Sequence, residues 1–281
     1  MNNFSCKICK KKHLKKNHII KFPSLKFISG DYKYIKYSKF YNLCPNTNFI
    51  FTNVNQIWLK NINTIYKNYS FPKEGIYSGK TTREHKIYKT IKKKFKIKNS
   101  EVLEIGPGTG ALINKLNDIK NIKKIDAYEL NSKYLNLFNK NNKFGKLYKN
   151  INKINKKYDL IILSHSFFHL INLYEDISKI KSLLKKNGLL IIITPNPLNY
   201  PVLPFIYEIF YFSNKNNILS YLEKFGLFIY RDLKSVLKNE VFIILSRIKS
   251  QKNITKDKNF LKKFKTIQKK IIIKIQILKK E

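Results

Sequence analysis

Arginine is nearly missing from this chain: Arg83, Arg231 and Arg247 stand among 57 basic residues, and the other 54 are lysine. That shortage argues against a surface built to read bases, where the planar guanidinium fork pairs bidentately with guanine and lysine does not. Acid is scarce as well, with 17 carboxylates and a formal charge of +40. Such a charge promotes weak, salt-sensitive adhesion to polyanions. It does not select a substrate: lysine, asparagine, isoleucine, tyrosine and phenylalanine are abundant while glycine, alanine and tryptophan are sparse, the pattern that A/T-rich codons produce. Three cysteines are too few for a disulfide framework and fit a reducing cytoplasm. No apolar run reaches the ~18 residues of a membrane-spanning helix, and the N-terminus is polar, so the sequence predicts neither a span nor a signal peptide. A chain of 281 residues has room for one α/β domain and a smaller element.

The most informative stretch begins at Val102-Leu103-Glu104-Ile105, a short buried strand by its apolar residues around one acid. It breaks into Gly106-Pro107-Gly108-Thr109-Gly110 and reopens as an apolar-periodic helix from Ala111 to Leu116. Glycines at such a junction let backbone approach a ligand closely, and the helix start presents free N–H groups. A bare glycine-rich loop of this kind also suits dinucleotide binders. Here Glu104 stands two residues before the first glycine, and Pro107 separates the first two, giving E-x-G-x-G-x-G. That form resembles motif I of the class I S-adenosylmethionine (SAM)-dependent methyltransferases. The resemblance implies SAM as cofactor, with Glu104 seating its methionine end beside Gly106, Gly108 and Gly110.

The segments that follow keep the order of that family. Ile122 to Leu130 reads as a second strand ending at Glu129, 25 residues beyond Glu104. This is near the spacing at which an acid holds ribose hydroxyls in nucleotide-binding α/β folds. The alternative is a surface acid at a helix start, since Asn131 and Ser132 are good caps. A third strand, Gly145 to Lys149, ends at Asn150-Ile151, where the family carries an acid and an apolar residue against the adenine. Asn150 replaces the acid, and its amide oxygen still accepts a hydrogen bond. The apolar run from Tyr158 to Leu163 suits a central parallel strand covered on both faces. A helix from Tyr174 to Lys186 with Asn187-Gly188 as its C-cap, then strands Leu189 to Thr194, Gly226 to Tyr230 and Val241 to Ser246, complete the pattern. The fold class expected is α/β: a doubly wound, mostly parallel, seven-stranded Rossmann-like sheet with a small N-terminal module. Its domains are 1–72 for the module, 73–100 for a connecting helical segment, 101–248 for the SAM-binding domain and 249–281 for a basic tail.

Histidines supply the candidate bases. A carbon or hydroxyl acceptor must lose a proton as it is methylated, and imidazole suits that task near neutrality. His169 falls in the turn after the fourth strand, where an open α/β sheet places its crevice, and His165 lies on the same segment. In the sugar C-methyltransferases, which this chain resembles, a Glu-His pair occupies that turn; here it reads Phe168-His169. The structural alternative is that His169 caps a helix or packs beneath the cofactor. Pro201 to Phe212, an aromatic and apolar insertion, reads either as a packed helix or as a lid over the substrate pocket.

Cys6-x-x-Cys9 and Cys44-Pro45-Asn46-Thr47 have 34 residues between them. Two complete knuckles of this kind form the thiolate cage of a structural zinc ribbon, but Thr47 replaces the fourth cysteine. The arrangement resembles a decayed form of the zinc-binding region preceding the SAM domain of the sugar enzymes. That resemblance implies Cys6, Cys9 and Cys44 as metal ligands; imidazole also serves zinc well, which makes His13 or His18 a candidate fourth ligand. It also includes a tyrosine-rich stretch, matched here by Tyr66, Tyr69 and Tyr77. Relict cysteines packing as small hydrophobes are the alternative. The further C-terminal domain of those enzymes is not matched.

The function expected is methyl transfer to a small-molecule acceptor, with a nucleotide-linked sugar first. The alternatives are a nucleic-acid methyltransferase and a degenerate SAM-fold scaffold. No D/N-P-P-F/Y motif or catalytic cysteine follows the fourth strand, which argues against the amino- and cytosine-methylating nucleic-acid enzymes. The lysine-rich tail reads as a basic amphipathic helix, either lying on an anionic membrane surface or packing one apolar face on the domain.

Overall fold

The computed structural model describes residues 4–14, 19–20, 27–30, 33–37, 39–52, 54–68, 82–95, 98–130, 142–233, 236–249 and 254–278. The N-terminal module contributes short strands β1 (Phe4–Ser5), β2 (Lys12–Leu14), β3 (Ile19–Ile20), β4 (Phe27–Ile28), β5 (Tyr34–Ile35), β6 (Tyr41–Leu43) and β7 (Ile50–Thr52). Helix α1 (Gln56–Lys67) follows, started by the Asn55 side chain accepting from the Trp58 N–H at 2.8 Å, and then α2 (Arg83–Lys94). The rest of the chain supplies β8 (Ser100–Ile105), α3 (Ala111–Leu116), β9 (Ile122–Tyr128), β10 (Phe144–Tyr148), β11 (Tyr158–Ser164), α4 (Leu173–Ser182), β12 (Leu184–Pro195), β13 (Tyr211–Phe212), α5 (Lys215–Glu223), β14 (Phe228–Asp232), β15 (Glu240–Ser246) and α6 (Phe260–Leu278).

Seven strands form the central sheet in the order β10-β9-β8-β11-β12-β15-β14. Pairing is parallel from β10 through β12, whereas β15 runs antiparallel to both its neighbours. Leu160, Ile161, Ile162 and Leu163 of β11 are all fully buried, as a strand covered on both faces requires. Alternation sorts them: Leu160 and Ile162 join Ile87, Ile91, Leu112 and Leu116 of α2 and α3 on one face. Ile161 and Leu163 join Ile177, Ile180, Ile218 and Leu222 of α4 and α5, and the module, on the other. The order reverses between β8 and β11, which places a crevice over the C-terminal ends of those strands.

Four expectations shift. The helix after β11 ends at Ser182, earlier than Lys186, because Leu183 and Leu184 are buried and Leu184 already pairs with Tyr158. Gly188 therefore lies within β12 rather than capping a helix, with so little room that a Cβ there would come within 2.9 Å of the Tyr158 carbonyl. The third strand begins one residue early, at Phe144, and β14 begins at Phe228 because Gly226 is spent on a turn at φ +69°.

The insertion is not the packed helix that is one reading of its sequence. It forms a 3-10 turn, Leu203–Phe205, and then β13, which pairs antiparallel with β7 and so adds a strand to the module's sheet. Lys39 fixes the connection by donating to the carbonyls of Ile206 (2.5 Å), Tyr207 (3.0 Å) and Ile209 (3.0 Å). Tyr41 donates to the Pro204 carbonyl at 2.8 Å. Burial pushes the pKa of Lys39 well below its ordinary value, with Glu208 opposing the shift, and these three carbonyls accept the N–H groups that burial would otherwise leave unpaired. The module is thereby stitched to the flank of the crevice.

Candidate active site

Gly106, Gly108 and Gly110 all take positive φ (68°, 56° and 76°), conformations that favour glycine. Gly106 has a second constraint, since a Cβ there would lie 2.7 Å from the Ser166 Cβ. The loop thus turns tightly against the segment after β11 and opens at Gly110 into α3. Glu104, at the end of β8, is 2% exposed, and its Oε2 has no hydrogen-bond partner among the described residues. Burial raises its pKa to about 8; the Arg83 guanidinium opposes the rise, and Glu84 and Glu129 add to it. A buried acceptor in that state awaits a cationic donor. Glu129, beyond β9, turns back to the loop, its Oε2 accepting from the Gly108 N–H at 3.3 Å. Asn150 caps the 3-10 turn Ile151–Lys153 by accepting from the Asn152 N–H at 2.9 Å, and Ile151 is 7% exposed. The structure therefore brings the acidic residues and glycines to one end of the sheet, with Asn150-Ile151 at the neighbouring strand end.

The other half of that end carries the histidines. His165 follows β11 at φ +63° and donates its backbone N–H to the Ile193 carbonyl at 2.8 Å. Its Nε2 lies 3.0 Å from Glu240 Oε2, at the start of β15. Arg83, first residue of α2, grips the same carboxylate bidentately, Nε to Oε1 at 2.8 Å and Nη2 to Oε2 at 3.0 Å. It also donates through Nη1 to Ser164 Oγ at 3.0 Å. The His165 side chain is 44% exposed. Burial and the Arg83 charge push its pKa below the ordinary value, against the pull of Glu240. Burial alone would raise Glu240, but hydrogen bonds from His165 and Arg83 hold it down at about 2. His169 is more enclosed. Its Nδ1 lies 3.3 Å from the Tyr66 hydroxyl, and burial, with His165 and Lys39 adding to it, brings its pKa down to about 4.

Methyltransferase domains, as a family, match residues 80–230, more than half of the chain. The chain belongs to that family. Among solved structures, a chain of the complex between the Haloferax volcanii Trm112 methyltransferase activator and a methyltransferase is similar at TM-score 0.52 and 11% identity, over 62% of this chain and 94% of that one. A SAM-dependent methyltransferase from Aquifex aeolicus aligns at TM-score 0.49 and 18% identity, over 64% and 100%. No curated protein matches the sequence. The chain is a class I SAM-dependent methyltransferase with the Rossmann-like sheet its sequence predicts.

The methyltransferase's module brings its three cysteines together. Their sulfurs lie within 4.8 Å of one another, with Cys9 and Cys44 at 3.6 Å. The two knuckles repeat one backbone pattern. Cys6 and Cys44 each accept from the N–H four residues on, at Lys10 and Asn48 (both 2.7 Å). Each donates to the carbonyl five residues on, at Lys11 and Phe49, and Lys10 and Asn48 both take positive φ. Thr47 thus occupies the position equivalent to Cys9. Zinc–sulfur bonds of ~2.3 Å in a tetrahedron put sulfurs about 3.8 Å apart, so the donor set fits zinc. The His13 side chain, His18, Tyr69 and Tyr77 lie outside the described residues.

Sequence reasoning missed Arg83, Glu240 and the packing of Ser166 on Gly106. Only one signal was available for them. Arg83 is an arginine in a chain that otherwise uses lysine, and a bidentate grip on a carboxylate is what lysine cannot supply.

Proposed function

We propose that this enzyme methylates a small molecule, with a nucleotide-linked sugar as first candidate, held over the C-terminal ends of β11 and β12. The observation that carries the reading is Glu104, whose buried and unpartnered carboxylate oxygen lies beside three glycines of positive φ. SAM, when bound, supplies an electrophilic methyl group on a sulfonium. Glu104 would accept from its amino group, Gly106, Gly108 and Gly110 would admit the methionine moiety, Glu129 would take the ribose hydroxyls, and Asn150 and Ile151 would flank the adenine. The module and β13 wall the His169 side of the crevice, which favours a compact acceptor over a folded nucleic acid. His165, whose side chain is 44% exposed, would take the acceptor's proton; His169, held by Tyr66, would position the turn.

Calorimetry with S-adenosylhomocysteine tests the cofactor site: Gly108→Val and Glu129→Ala should each weaken binding at least about tenfold, roughly 1.4 kcal/mol. Wild-type affinity in both would remove these residues from the site. Methylation of RNA but of no nucleotide-linked sugar would overturn the small-molecule reading.

We also propose a structural zinc ion on Cys6, Cys9 and Cys44, in a chain that works in the cytoplasm. Purified protein should carry about one equivalent, reduced by Cys44→Ser. Metal-free protein whose thermal stability ignores chelators would leave relict cysteines. Weaker contacts follow from charge: salt-sensitive adhesion to polyanions, and peripheral contact of the distal half of α6 with anionic membrane. Among the described residues, no helix is long and apolar enough to cross one.

A further inference from the structure

We propose that His165, Glu240 and Arg83 form a proton-accepting relay that makes this enzyme specific for acceptors whose methylated atom carries a removable proton, a hydroxyl above all. The proposal rests on the reading above that the acceptor lies over β11 and β12. Three separate elements converge on it: the end of β11, the start of β15 and the first turn of α2. Glu240, ionised and gripped by Arg83 at 2.8 and 3.0 Å, can only accept. The neutral imidazole must therefore carry its hydrogen on Nε2, 3.0 Å from that carboxylate. Its lone pair is then on Nδ1, which has no partner among the described residues and belongs to a side chain 44% exposed.

Two further observations point the same way. His165 takes φ +63°, a strained conformation for a residue with a side chain, and such strain gathers where function fixes a side chain. Arg83 also holds Ser164 at 3.0 Å, so the residue before the histidine is pinned by the group that pins its partner. The charges that reach His165 are Glu240 on β15, with Arg83 and Glu84 on α2, and His169 lies on the 3-10 turn beyond. In the transfer, the acceptor oxygen bonds the methyl carbon as its O–H bond breaks, the proton goes to Nδ1, and the sulfonium–methyl bond's electrons return to sulfur. Glu240 then neutralises the imidazolium, and Arg83 keeps Glu240 from taking the proton itself. A tertiary amine or a thioether needs no such base.

Nitrogen-15 NMR of the imidazole in the full-length protein reads the tautomer directly. Neutral His165 should be protonated on Nε2, and Glu240→Gln should lower its pKa by about one unit or more. Arg83→Lys, which keeps the charge but breaks the fork, should cut kcat with S-adenosylhomocysteine affinity unchanged. An Nδ1–H tautomer, or an unmoved pKa in Glu240→Gln, would overturn the relay even where S-adenosylhomocysteine binds normally. Failure of that ligand to bind would instead overturn the cofactor site. Across matched acceptors, turnover of alcohols with an alkaline-rising limb that moves in Glu240→Gln supports the proposal; turnover confined to tertiary amines or thioethers overturns it.

Discussion

Tyr66 on α1 and His169 after β11 are 103 positions apart in sequence and meet through their polar atoms, hydroxyl to Nδ1, at 3.3 Å. The contact ties the module's helix to the rim of the crevice. It also belongs to an environment that keeps His169 neutral, its pKa brought from 6.5 to about 4 by burial first, then by His165 and Lys39.

Acid should therefore loosen this junction. Because the folded value is depressed, the unfolded chain binds this proton first. The stabilisation is fully present above about pH 6.5 and is lost as pH falls towards about 4, and it amounts to roughly 3 kcal/mol at most. His169→Gln should remove that slope, so that urea midpoints of wild type and variant converge between pH 7 and 4. Parallel pH dependences would show that His169 titrates normally.

Glu104 has the opposite sign. Its folded pKa of about 8 exceeds the ordinary 4.5, so the ligand-free site carries much of its proton at neutral pH, and stability falls as pH rises through that window. An amine docking on the carboxylate must expel the proton. Binding of S-adenosylhomocysteine near pH 7 should thus release a large fraction of one proton. Calorimetry in buffers of different ionisation enthalpy measures it, and Glu104→Gln should abolish it. Buffer-independent heats in the wild type would mean that Glu104 is already ionised.

The contrast between these two residues shows what the sequence makes legible. Glu104, Glu129 and the glycines are recognisable because a strand, a tight turn and a helix start impose their spacing locally. The central sheet is readable for the same reason, since the apolar run around Leu160 to Leu163 suits a strand covered on both faces. Glu240 and Arg83 are invisible because their partnership with His165 is made by β15 and α2 meeting across the end of the sheet. Nothing local marks it. The helix reading of the insertion fails because its aromatic run suits a helix locally, while its pairing with β7 depends on residues some 160 positions away.

Gly106 and Ser166 should be coupled. Gly106→Ala combines a strained φ of +68° with a Cβ placed 2.7 Å from that of Ser166, and should destabilise by ~1–3 kcal/mol. Ser166→Gly removes the clash but gives up the 2.5 Å hydrogen bond to the Ile105 carbonyl. The double variant should be more stable than the sum of the single losses, yet still below wild type. Additive losses in urea denaturation would show that the two positions do not touch.

The tail's two halves should separate in experiment. Phe260 and Phe264 are fully buried and Gln268 is 3% exposed, so one face of the first half of α6 is committed to the chain's own core. Gln268 adds a 2.9 Å hydrogen bond to the Pro201 carbonyl. That face cannot also lie in lipid. Phe264→Ala should therefore cost ~3–5 kcal/mol of stability while leaving vesicle binding as it was. Removing residues 271–281 should do the reverse, since Ile271, Ile275 and Leu278 with the flanking lysines form the basic amphipathic segment a membrane surface would take. Co-sedimentation with anionic vesicles at low and high salt reads the outcome. Binding that survives the truncation would belong to the lysine-rich body, and equal binding to neutral vesicles would remove the electrostatic attraction from the account.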